Sequence, residues 1–232
     1  MIAENYKNIL KKIEAAKERR TRASKKDNVT LVAVTKNHDV NAMREAIDAG
    51  ATDIGENRVQ EAREKFQTLN RNATWHLIGH LQTNKAKFAV EMFDLIHSVD
   101  SFKLAKALND AAQNTDKVQN ILVQVNLAKE AQKFGVFKED LSSLVEEIDE
   151  MEHLKLKGIM LIAPNFIDKE ETRPLFSEMY DIFTDLKNHP LKRGEINILS
   201  MGMTGDFEIA VEEGANIVRV GTGIFGARNY DK

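Results

Sequence analysis

At 232 residues, with 42% hydrophobic and 30% charged side chains, the chain can bury a sizeable core and cover it with mixed charge, which argues against a disordered protein. Its 33 Lys and Arg against 36 Asp and Glu leave a formal net charge of -3 with no region dominated by one sign, which argues against nucleic acid as the main partner. The absence of cysteine removes disulfides, thiolate catalysis, Cys-based zinc sites and iron–sulfur clusters, and it fits a reducing compartment.

Residues 1–22 are amphipathic and heavily charged, with Lys7, Lys11, Lys12, Glu14 and Lys17 interrupting any apolar run. They predict a surface helix and not a secretory leader. Further on, short apolar runs rich in β-branched residues alternate with stretches of helical periodicity, the pattern of βα units around a parallel sheet. Eight such runs are present, at 30–35 (TLVAVT), 52–55, 74–79 (TWHLIG), 95–99, 120–126 (NILVQVN), 156–162 (LKGIMLI), 196–200 and 217–220. The helical stretches lie at 41–49, 58–69, 84–92, 102–113, 138–150, 171–187 and 206–213, with Gly50 and Gly214 placed to end two of them. The polar segment 127–136 predicts a mobile loop.

Eight strands with intervening helices predict an α/β fold, a (β/α)8 TIM-like barrel with an additional N-terminal helix. An open doubly wound sheet would carry a Gly-rich fingerprint after its first strand. The only prolines are Pro164, Pro174 and Pro190 and no Ser/Gly-rich linker occurs, so residues 1–232 read as a single domain. No apolar run approaches the roughly 18 residues needed to cross a bilayer. Even 121–128 is broken by Gln124 and Asn126, so no membrane partner is expected and the expected location is cytoplasmic.

A barrel builds its site from the loops at the carboxyl ends of its strands. The polar residues at those ends are Lys36, Glu56, Asn57, His80, Gln82, Asn126, Ser200, Arg219, Gly221 and Thr222. A lysine leaving a buried strand is either partly desolvated, which favours Schiff-base formation with an aldehyde, or simply reaches solvent. The segments SMGMTGD at 200–206 and VGTGIFG at 220–226 offer backbone N–H groups and hydroxyls where barrels usually bind phosphate. A helix cap at Thr204 and a tight turn at Gly221 would use the same residues without a ligand. His76 and His80 have metal-like spacing, but a strand running into a loop does not put them on one face, and no acidic partner completes a site. No metal is expected. Glu56 is either an acid–base group or the acidic first turn of the next helix, and His38, His97, His153 and His189 read as solvated or structural.

Five segments together, VTK at 34–36, GENRVQE at 55–61, WHLIGHLQTNK at 75–85, LSMGMT at 199–204 and VRVGTGIFG at 218–226, resemble the pyridoxal phosphate homeostasis protein family. The resemblance spans essentially the whole chain. It implies a barrel related to the N-terminal barrel of alanine racemase, binding pyridoxal 5'-phosphate (PLP) as a Schiff base on Lys36. It further implies Ser200, the Gly202 and Met203 backbone, Gly221 and Thr222 around the phosphate, Arg219 facing the pyridine nitrogen and Asn57 beside the cofactor. One departure is Asn37-His38-Asp39 after the lysine, where many relatives carry a proline.

A guanidinium against the pyridine nitrogen disfavours its protonation and weakens the ring as an electron sink. Racemases on this barrel draw a base from a second domain across a dimer interface, whereas this chain ends six residues after Gly226. With the resemblance, these features imply a non-catalytic PLP-binding protein of vitamin B6 homeostasis, with PLP-accepting apo-enzymes and small amines as partners, and the lack of a large apolar surface stripe leads to the expectation of a monomer. A PLP-dependent racemase or decarboxylase, and a phosphometabolite-binding barrel without PLP, are the alternatives.

Overall fold

Parallel strands covered by helices outside and packed against one another inside are buried on both faces, which is why their sequences are apolar without a polar alternate face. The computed structural model describes residues 1–130 and 133–226. Among these, the strands are β1 (Thr30–Val34), β2 (Asp53–Glu56), β3 (Thr74–Leu77), β4 (Leu95–Val99), β5 (Gln119–Val125), β6 (Leu154–Leu161), β7 (Ile198–Met203) and β8 (Ile217–Val220). Each pairs in parallel with the next, and β8 pairs back onto β1, so the sheet closes into a barrel. Around it stand α1 (Ile2–Glu18), α2 (Val40–Asp48), α3 (Val59–Thr68), α4 (Ala86–Met92), α5 (Phe102–Gln113), α6 (Lys138–Asp149), α7 (Arg173–Asn188), α8 (Phe207–Glu212) and the one-turn α9 (Thr222–Phe225). The expected (β/α)8 barrel with an N-terminal helix is the observed fold. Of the segment 127–136 expected to be mobile, Ala131 and Gln132 lie outside the described residues.

Helix starts follow local chemistry. Asp39 accepts the Ala42 N–H at 2.9 Å to begin α2, and Ser101 accepts the Leu104 N–H at 3.3 Å to begin α5. Alternate strand residues then face opposite ways. Leu31, Ala33, Ile54, Ile96, Leu199 and Val218 join the helices in one continuous core, while Val32, Leu95, Leu122, Met160 and Ile217 form a separate apolar layer inside the barrel. Two residues further along their strands the inward positions turn polar: His97 follows Leu95, Ser200 follows Ile198 and Arg219 follows Ile217, all three buried.

The N-terminal helix has a structural task beyond covering surface. Helix α1 packs against α8, α9 and α2, which is the ring position that a long helix after β8 would take. Tyr6, Ile9, Ile13 and Ala16 form its buried face, and Asn5 donates to Ile224 O at 2.9 Å. Arg20, buried just past its end, donates to Val211 O (2.9 Å), Ser24 O (2.8 Å) and Ala215 O (2.6 Å).

Most strand ends fall within two residues of expectation, but β7, expected at 196–200, runs to Met203. Its register with β8 shifts between Ser200 and Met203, and Gly202 within the shift has φ 94°. A Cβ there would lie 2.6 Å from Ala210 Cβ and 2.9 Å from Phe207 Cα, so glycine is what lets α8 pack onto the bulged strand. Ser200 is consequently the third residue of β7 rather than its end, and it is fully buried.

Arg20→Met strips four carbonyls, those of Val211, Ser24, Ala215 and Asp27, of their charged donor and is expected to cost about 2–3 kcal/mol in a urea titration. A change below about 0.5 kcal/mol would show that Arg20 does not anchor α1.

Candidate functional site

At the carboxyl ends of the strands lies a cavity of about 560 Å³. Six of the expected residues line it, Lys36, Asn57, Met203, Arg219, Gly221 and Thr222, together with Ile78, Ile162 and Thr204. Ser200 and Gly202 do not. A larger cleft of about 750 Å³ sits at the opposite end, among residues that precede β3, β4 and β5, and brings together none of the expected residues.

Lys36 stands two residues past β1 in a turn closed by the His38 N–H on Thr35 O at 3.0 Å. Asn37, the next residue of that turn, takes φ 62°, a left-handed conformation that asparagine tolerates. Behind the turn, Lys65 of α3 directs all three ammonium hydrogens inward, to Thr35 O (2.8 Å), Glu56 Oε1 (2.8 Å) and Glu61 Oε1 (2.6 Å). Thr35 Oγ1 donates to Glu56 Oε1 at 2.5 Å, and Glu61 Oε1 accepts the Asn37 N–H at 2.6 Å. Both neighbours of Lys36 are thus tied to one ion-pair cluster. Glu56 is neither an open acid–base group nor a helix turn: it ends β2 with no exposed surface. Burial raises its carboxyl pKa, against the lowering effect of Lys65 and Thr35.

Asn57 is gripped by the loop after β3. A Cβ on Gly79 would lie 2.3 Å from Asn57 O, which accounts for the glycine in WHLIGHLQTNK. Asn57 Oδ1 is buried without a hydrogen-bond partner, an acceptor left open beside the cavity.

The two glycine-containing segments meet across the seam of β7 and β8. The Gly221 and Gly223 N–H groups both reach Thr204 Oγ1, at 3.3 and 3.4 Å. These are long hydrogen bonds, easily ceded to an anion. Asp206, not Thr204, precedes α8 as its cap residue, and its Oδ1 accepts the Met203 N–H at 2.6 Å. The sequence leaves Thr204 open between a helix cap and the phosphate segment, and the structure puts it in the cavity wall and not at the cap. Its signal was the second hydroxyl of SMGMTGD.

Arg219 reaches the cavity from below, donating to Ser200 Oγ at 2.5 Å and to Leu161 O at 2.9 Å. Burial lowers its pKa to about 10, with Asp206 acting in the opposite direction, so at neutral pH the guanidinium remains a cation. His76 and His80 do not share an ion: His76 lies inside the barrel on Asp53, while the His80 ring stacks on Phe134 with centroids 3.6 Å apart. Among the described residues, no group of three or more His, Asp or Glu could hold a metal, and no helix is long and apolar enough to cross a membrane.

The family model of the alanine racemase N-terminal domain matches residues 5–229. The pyridoxal phosphate homeostasis protein of Haemophilus influenzae is 38% identical over 99% of this chain and 97% of its own. This chain belongs to the pyridoxal phosphate homeostasis protein family. PipY of Synechococcus elongatus, a solved structure without PLP, has a TM-score of 0.87 at 37% identity, and its form with PLP bound has 0.83 at 36%. Both cover 97% of this chain and all of their own.

Lys65→Met leaves a buried carboxyl group without its cation and is expected to cost about 3 kcal/mol or more in urea. A cost within about 0.5 kcal/mol would show that the cluster does not hold the Lys36 turn.

Proposed function

We propose that this chain binds PLP as a Schiff base on Lys36 and acts in intracellular vitamin B6 homeostasis as a carrier, without strong catalysis of its own. The observation that carries this is the convergence, in one cavity, of an amine, a guanidinium and an amide-and-hydroxyl cradle. Lys36 supplies the amine for the cofactor's aldehyde. Thr204, Thr222 and the Gly221 and Gly223 amides take the phosphate, Arg219 faces the pyridine nitrogen, and Asn57 Oδ1 offers an acceptor to the ring. Met203 closes one wall, Gly202 shapes the strand beneath it, and Ser200 acts through Arg219 and not on the phosphate directly. PipY, solved with PLP bound, supports the cofactor, and the name of the relatives supports the role.

When bound, PLP supplies a reversible carbonyl and an electron sink. The Arg219 cation opposes protonation of the pyridine nitrogen and so weakens that sink, which favours carriage over racemization or decarboxylation. A free aldehyde modifies amines indiscriminately, whereas one held at a barrel mouth can pass to PLP-accepting apo-enzymes or small amines.

Purified protein loaded with PLP is expected to be yellow, and borohydride followed by peptide mapping should place a phosphopyridoxyl group on Lys36, with Lys36→Ala colourless. A protein that stays colourless with added PLP overturns the cofactor. Sustained exchange of amino-acid α-protons in heavy water, lost in Lys36→Ala, overturns the carrier role. Thr204→Val and Thr222→Val should each weaken PLP retention by about 1–3 kcal/mol, because each removes a hydrogen bond to a charged phosphate. Unchanged retention in both, measured by dialysis equilibrium, would move the phosphate elsewhere.

A further inference from the structure

Below the cavity, five side chains from five strands form a continuous hydrogen-bonded line through the barrel interior. Arg219 Nη1 meets Ser200 Oγ at 2.5 Å, and Ser200 Oγ meets His97 Nδ1 at 3.0 Å. His97 Nε2 meets His76 Nδ1 at 2.9 Å, and His76 Nε2 meets Asp53 Oδ1 at 2.8 Å. Asp53 is the first residue of β2, at the amino-terminal rim of the barrel, where its other oxygen accepts from Thr52 Oγ1 at 2.7 Å. Arg219 lines the cavity at the other end. The four side chains other than Asp53 are buried.

The line has one direction, forced by its ends. Arginine only donates and an ionised carboxylate only accepts. Ser200 therefore takes its hydrogen bond from Arg219 and gives its own proton to His97 Nδ1. His97 then carries its proton on Nε2 and gives it to His76 Nδ1, and His76 gives its Nε2 proton to Asp53. The opposite order, with His97 protonated on Nδ1, would need an additional proton on His76 to satisfy Asp53. Burial, followed by the neighbouring His76 and the Arg219 charge, holds His97 well below the usual imidazole range, consistent with a neutral ring. Burial tends to raise the Asp53 carboxyl, but hydrogen bonds from His76 and Thr52 outweigh it and leave the pKa lowered, which keeps the accepting end ionised. Every dipole of the line points its negative end at the guanidinium, whose two hydrogen bonds are both to uncharged oxygens.

We infer that Asp53, His76 and His97 are positioning residues for Arg219, a one-way hydrogen-bond line that orients the guanidinium at the wall of the cavity and couples it to a carboxylate at the far rim of the barrel. The inference rests on the cavity being a PLP site. A merely space-filling polar core would contribute stability but would not transmit a change at Asp53 to the cofactor.

Two measurements test it. Long-range nitrogen–proton NMR on the purified protein, with no PLP added, should find the proton of both His76 and His97 on Nε2; a proton on His97 Nδ1 overturns the line whatever the cavity binds. In PLP-loaded protein, Asp53→Asn should shift the visible absorption band and speed PLP release, read by trapping with hydroxylamine, by about threefold or more. The same substitution in a Ser200→Ala background, where the line is cut, should add nothing further. An Asp53→Asn effect of equal size in both backgrounds, or none in the otherwise wild-type protein, overturns the coupling. If the protein takes up no PLP, the cofactor assignment falls, and the NMR result alone decides whether the line exists.

Discussion

The pairing of β8 onto β1 is the contact on which the cavity depends. Lys36 and Gly221 come from opposite ends of the chain, and only this seam, with Val32 beside Arg219 and Ala33 beside Val220, makes them neighbours. A Cβ at Gly221 would already touch Val34 at 3.4 Å, which measures how closely the two strand ends approach. Closure also sorts the interior by depth. An apolar layer of Val32, Leu95, Leu122, Met160 and Ile217 gives way, two residues along three of these strands, to the buried polar groups His97, Gln124 and Arg219, and then to the open mouth.

Two buried cations flank that mouth, and the fold treats them differently. Lys65 is neutralised on the spot by Glu56 and Glu61, so its charge holds a turn and reaches no further. Among the described residues Arg219 donates to a hydroxyl and a carbonyl, both uncharged, and Asp206 acts on it through charge alone. Its positive field is left directed into the cavity, which suits an electron-rich ring and an anion better than it suits a developing cation.

Much of this was legible in the chain because a barrel strand is apolar on both faces and a helix announces its start. The run at 217–220 and the helix at 102–113 match to the residue, the latter because Ser101 caps it. Of the residues that line the cavity, Lys36, Asn57, Arg219, Gly221 and Thr222 are legible as residues at strand ends, whereas Met203 follows only from the resemblance. Ser200 was misplaced because a polar residue reads as the end of an apolar run, whereas here it is satisfied inside the barrel by His97 and Arg219. The sequence could not choose between a cap and a cavity wall for Thr204, because its partners, Gly221 and Gly223, lie 17 and 19 residues away. The line from Asp53 to Arg219 left no mark in the sequence at all, since its members come from five strands and share no spacing.

The N-terminal helix, filling the gap in the outer ring beside α8 and α9, carries a consequence for folding. Asn5 and Ile224, which it joins, are 219 residues apart, and the seam it covers joins the first strand to the last. Contacts of such sequence separation are costly in loop entropy and form late. The first helix to be made therefore completes its packing only with the last strand and the helices beside it, and a molecule that bridges the Lys36 turn and the β7–β8 loops would act as a staple across that closure.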